Sequence, residues 1–95
     1  MAFEPNLHQI AEDITPYLAQ LLPLWFPNYN FRFGVERKQE VSETVILVQY
    51  TNLRMFERMK HDPSVEVFIV RNREDVIGLC DKIIARFMLL GLDNV

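Results

Sequence analysis

Seven residues near the middle of the chain, Thr44 to Tyr50 (TVILVQY), constrain the fold most, because they are β-branched or apolar on both faces of a strand. Successive side chains of a strand point to opposite sides of its sheet, so this segment needs cover above and below. It predicts a central strand, covered on each side by the chain itself or on one side by a partner.

Strands to flank it can be read on either side. Phe31, Phe33 and Val35 alternate with Arg32, Gly34 and Glu36, the period of two of a half-buried strand. Arg37 to Glu43 is polar and charged and reads as a hairpin connection, although it has no Asn-Gly or Asp-Gly pair. Val65 to Val70 (VEVFIV) reads as a further strand. Residues 52–60 admit two readings. Leu53, Met55, Phe56 and Met59 fall on one side of a helical wheel, favouring a short amphipathic helix. A strand there would instead form a hairpin with Val65 to Val70 around His61 to Ser64 (HDPS), giving a four-stranded antiparallel meander.

Helices are expected at both ends. Leu7, Ile10, Ile14, Tyr17 or Leu18, Leu21 and Leu24 recur at spacings of three and four, which predicts a helix over about residues 5–22 with Pro5 in its first turn. Pro16 removes a hydrogen bond inside it. The apolar face keeps its phase through that proline, which favours one helix kinked near Pro16 over two helices with Thr15 capping the second. At the other end Asn72 suits an N-cap, with Glu74 and Asp75 in the first turn. Val76, Ile77, Leu79, Cys80, Ile83, Ile84, Phe87, Met88 and Leu90 cover about half of a wheel, and Gly91 supplies a stop with Leu92 beyond it. The expected fold is a single two-layer α+β domain over residues 1–95: a kinked N-terminal helix and a buried C-terminal helix on a three- or four-stranded, mostly antiparallel sheet.

Composition bears on function at this point. Of 95 residues 49% are hydrophobic and 12% aromatic, a high share for a domain whose size leaves much surface in water. Either the core is dense or an apolar patch meets a partner. The passage from Leu21 to Phe33 brackets Leu24, Trp25 and Phe26 between Pro23 and Pro27. Phe31 and Phe33 belong to the first strand and the leucines to the helix stripe. Trp25, Phe26 and Tyr29 remain as the expected interface, since Trp and Tyr are enriched at the energetic centres of interfaces.

The net charge of −3 makes nucleic acid an unlikely partner, since that activity draws on clustered Lys and Arg. The first 30 residues carry Glu4, Glu12 and Asp13 and no Lys or Arg, so the negative charge is local to the first helix. One region has a basic surplus: Arg54, Arg58, Lys60 and Arg73 are candidates for an anion contact and carry the alternative reading, a weak nucleic-acid or anion-binding module over residues 54–73, although Glu57, Asp62 and Glu66 lie among them as salt-bridge partners.

Catalytic chemistry finds little material. Cys80 is alone, which excludes an internal disulfide and suits a reducing, cytoplasmic setting. It falls on the apolar face of the last helix and reads as a packed thiol. His8 and His61 are far apart with no second ligand at metal spacing, and His61 with Asp62 opens a turn. Glu12 with Asp13, and Glu74 with Asp75, diverge by about 100° as helical neighbours and do not converge on a substrate. No glycine-rich phosphate loop and no Gly-x-Ser-x-Gly passage is present. The opening MAFEPNLHQIAEDI lacks the basic start of a targeting signal, and no uncharged apolar run reaches the roughly 18 residues of a membrane span. The reading is therefore a non-enzymatic interaction or assembly module without cofactor or metal. Its expected partner is a protein: a second copy of the chain, or the other subunits of a complex.

Overall fold

Asn6 starts the first helix by accepting a hydrogen bond from the Gln9 amide through its side chain, at 3.2 Å. The computed structural model describes residues 6–38, 43–53 and 64–93. Helix α1 (Leu7–Trp25) runs through Pro16 and Pro23. Pro16 has no N–H to offer the Glu12 carbonyl one turn back, and the Thr15 hydroxyl donates to that carbonyl instead at 2.8 Å. The lost backbone bond is thus replaced locally, and the helix continues as one.

The buried face of α1 is centred on Ala11, Leu18 and Leu22, with Leu7, Ile14 and Leu21 beside them. Leu24, expected on this stripe, is 80% exposed. Strict alternation of three and four steps gives a period of 3.5, shorter than the 3.6 of a helix, so the expected stripe drifts sideways along the helix. By Leu24 it has left the core side.

Three antiparallel strands follow: β1 (Tyr29–Lys38), β2 (Glu43–Asn52) and β3 (Ser64–Val70), in spatial order β1-β2-β3. The doubly apolar segment is the central strand, as its composition required. The helix-or-strand alternative for 52–60 falls almost wholly on residues 54–63, outside the described residues. The described sheet therefore has three strands, one of the two expected numbers.

Register divides the sheet into two faces. Phe31 pairs with Tyr50, Phe33 with Val48 and Val35 with Ile46, which in turn pairs with Phe68; these side chains share the face that meets the helices. The core between them holds Leu18, Leu22, Ile46, Val48, Val70 and Ile83 with almost no exposure. Helix α1 packs on the sheet. The C-terminal helix joins the same core through Phe87, whose ring centre lies 5.2 Å from that of Tyr50, 5.6 Å from Phe31, 6.0 Å from Phe26 and 6.2 Å from Phe68.

The C-terminal helix departs from expectation, being two helices rather than one. Asn72 caps α2 (Arg73–Val76): its side chain accepts from the Asp75 amide at 3.1 Å, and the Asp75 carboxylate accepts from the Arg71 amide at 2.8 Å. Gly78 then takes a left-handed conformation, φ 70°, before α3 (Leu79–Leu89) begins. The break throws Ile77 off the buried stripe, leaving it 74% exposed. At the far end Gly91 is left-handed as expected, and the Leu92 amide donates to the Phe87 carbonyl at 3.1 Å, which seats Leu92 in the core.

A Cβ on Gly78 would meet nothing within 4 Å. Only the backbone objects to a side chain there, and Gly78→Ala is expected to lower stability by roughly 1 kcal/mol. Urea titration of the two chains reads that difference.

Candidate interaction surface

The second face of the sheet is where the chain keeps apolar side chains outside its core. Three rows cross it: Arg32–Gln49–Val65, Gly34–Leu47–Val67 and Glu36–Val45–Ile69, each set by strand pairing. Val45 is 3% exposed yet stands apart from the core cluster, the one buried apolar residue to do so among the described residues. Its pairing with Glu36 and Ile69 puts its side chain on the face opposite the core. Leu47 is half-buried beside it, and Val65, Val67 and Ile69 are 46%, 53% and 41% exposed. No described helix lies over them.

Beside this stripe the face is polar. Asn30, Arg32, Glu36 and Lys38 of β1 share it, with Gly34 in their middle. The missing side chain at Gly34 contributes to a shallow depression of about 240 Å³ lined by Arg32, Phe33, Gly34, Leu47, Gln49 and Val65. The apolar side chains of β2 and β3 thus lie side by side, with the charged residues of β1 at their margin.

The three aromatics expected at an interface do not form one surface. Trp25, the last residue of α1, is 49% exposed. Phe26 has no exposure: its amide closes the helix on the Leu22 carbonyl at 2.8 Å, and its ring packs against Phe31 and Phe87. That placement corrects its assignment to an interface, since helix closure turns the ring inward. Tyr29 is half-buried at the start of β1, next to Phe31 and Tyr50, with its hydroxyl accepting from the Asn52 side chain at 3.4 Å. Trp25 instead shares an end of the molecule with exposed Leu24, Leu53 and Leu89. The Leu53 amide donates to the Asn28 carbonyl at 2.9 Å, and contact between Phe26 and Phe87 brings the ends of α1 and α3 together.

Of the residues considered for an anion contact, Arg54, Arg58 and Lys60 lie outside the described residues. Arg73 is exposed at the start of α2, a single turn. Nearby Arg71 is committed to Glu43 at 2.8 Å, and Arg86 pairs with Glu66. His8 meets Glu12 one helical turn on, at 2.8 Å. His61 and Asp62 lie outside the described residues, among which no group of three His, Cys, Asp or Glu side chains is placed to hold a metal. No helix among them is long and apolar enough to cross a membrane.

Cys80 is second in α3, nearer a helix start than a continuous helix would have placed it. A helix N-terminus lowers a thiol pKa. Here burial, followed by the adjacent Asp81 carboxylate, pushes the Cys80 thiol up instead. The native thiol is expected to alkylate several-fold more slowly than that of the urea-unfolded chain at the same pH. Because the folded state holds this proton more tightly, the associated stability is present below the ordinary thiol value of 9.0 and is lost as pH rises through the raised folded value. Urea midpoints measured on either side of that pH, in the chain and in Cys80→Ala, check the sign.

Searches against protein-family models, curated proteins and solved structures find no match to this chain.

Proposed function

We propose that this chain is a small non-enzymatic assembly module that binds protein through the face of its sheet opposite the described helices. One observation supports the reading above the others: the apolar stripe Leu47, Val65, Val67 and Ile69 lies on the face of the sheet opposite the core, with Val65, Val67 and Ile69 exposed. Removing such side chains from water is favourable by about 25 cal/mol per Å² of apolar surface. The exposed Leu24 and Trp25 at the end of α1 supply a second contact zone in a larger complex. The single cysteine suits work in a reducing, cytoplasmic compartment.

The test is an apolar fluorescent dye titrated into the dilute chain. Emission should rise, and Val67→Lys, at an exposed position that leaves the core intact, should remove a large part of the rise. A chain that is dye-silent and monomeric at every concentration overturns the reading. So does a rise that Val67→Lys leaves unchanged.

A further inference from the structure

The register of the open face fixes what would fit against it. We propose that its occupant is a second copy of the same chain, stacked face to face about a twofold axis along the Gly34–Leu47–Val67 row; this rests on the assembly reading above.

Sheets that pack face to face sit about 10 Å apart, with strands within about 30° of each other. A twofold axis between two identical sheets can run along the strands or across them. Along β2, it would place charged β1 of one copy over apolar β3 of the other, burying Arg32 and Glu36 against Val65 and Ile69. That arrangement leaves charges without partners. Across the strands, the axis keeps each strand over its own counterpart with its direction reversed, so the apolar half meets the apolar half.

Within that arrangement the middle row is the axis that matches side chains. Leu47 and Val67 then meet their own counterparts, Ile69 lies over Val65 of the second copy, and Gly34 over Gly34 leaves room where the sheets approach. The outer rows exchange places. Glu36 of one copy therefore lies over Arg32 of the other, and Arg32 over Glu36, which makes two ion pairs across the dyad. Neither residue forms an ion pair among the described residues within the chain, where Glu43 pairs with Arg71 and Glu66 with Arg86. Farther out, Lys38 lies over Asn30 and Glu43 over Thr51, so no like charges are opposed.

Area sets the strength. Three strands spaced by about 4.8 Å, with about seven residues at 3.3 Å each, make a patch of roughly 14 by 23 Å. At roughly 320 Å² a side it falls well below the roughly 800 Å² per partner of a standard interface, so the dimer is a weak, reversible one that responds to concentration.

Sedimentation velocity of the full chain across a wide concentration range tests the proposal. The expected result is a monomer–dimer equilibrium that stops at the dimer. Arg32→Glu and Glu36→Arg should each raise the dissociation constant about tenfold, because each replaces two attractive pairs by two repulsive ones, and the double reversal should recover most of the loss. Both residues are exposed, and circular dichroism verifies that the variants fold. A chain monomeric throughout, with its Val67-dependent dye signal intact, overturns the second copy as occupant and leaves the assembly reading to a different protein. A dimer indifferent to the charge reversals is held elsewhere, for example edge to edge through β3, and overturns this dyad. Growth beyond the dimer does so too.

Discussion

Phe87→Ala is expected to lower the unfolding free energy by about 3–5 kcal/mol, among the largest losses of any single truncation of a described residue. The ring has no exposure and meets one aromatic ring from each strand as well as Phe26 at the end of α1. Removing it takes away the transfer energy of a large side chain and leaves four rings facing a cavity they cannot all collapse into. A domain of this size has a total stability of about 5–15 kcal/mol, so the loss is a substantial fraction of it. Leu89→Ala, two residues on in the same helix but 82% exposed, should change stability by no more than about 0.5 kcal/mol. Urea denaturation of both variants decides the matter; equal losses would mean that α3 does not anchor through Phe87.

The sequence carried the architecture wherever a local rule sufficed. TVILVQY reads as central because both of its faces are mostly apolar, and Asn72 and Gly91 had to punctuate helices because each supplies what a helix end needs. What local rules could not decide was direction. Phe26 lies between two prolines, directly after a tryptophan, and looks as free as they do until its amide closes the helix on Leu22 and turns its ring inward. Gly78 lies inside an unbroken apolar pattern, and nothing in periodicity distinguishes a glycine tolerated within a helix from one in a left-handed break. The break redirects Ile77 and moves Cys80 toward a helix start.

The open face was half legible for a similar reason. Composition signalled more apolar surface than a small core needs, and the central strand signalled a need for cover that the chain or a partner supplies. In VEVFIV the lone Glu66 would mark its own face as the solvent side. Register places Glu66 on the helix side of β3 instead, tied to Arg86 at the margin of the core, and turns Val65, Val67 and Ile69 outward. A single charged residue on an edge strand can be satisfied by one ion pair. It is therefore a weak indicator of which face is wet.

Adjacent residues of β2 offer the sharpest separation of fold from assembly. Ile46 points into the core with no exposure, and Ile46→Ala is expected to cost about 2–5 kcal/mol of stability. Leu47 points the other way and is half-buried on the open face, so Leu47→Ala, measured on dilute monomer, should cost only about 1 kcal/mol. Their effects on association should run in the opposite order. Leu47 meets its own counterpart across the dyad, so its truncation removes two side chains from the centre of the interface, where contacts weigh most. The folded fraction of Ile46→Ala keeps that surface whole. Paired urea titrations and sedimentation runs on the two variants would show stability and association exchanging rank between neighbouring residues. If both variants lose stability alike, the second face is covered by the chain itself; if neither changes association, the partner surface lies elsewhere.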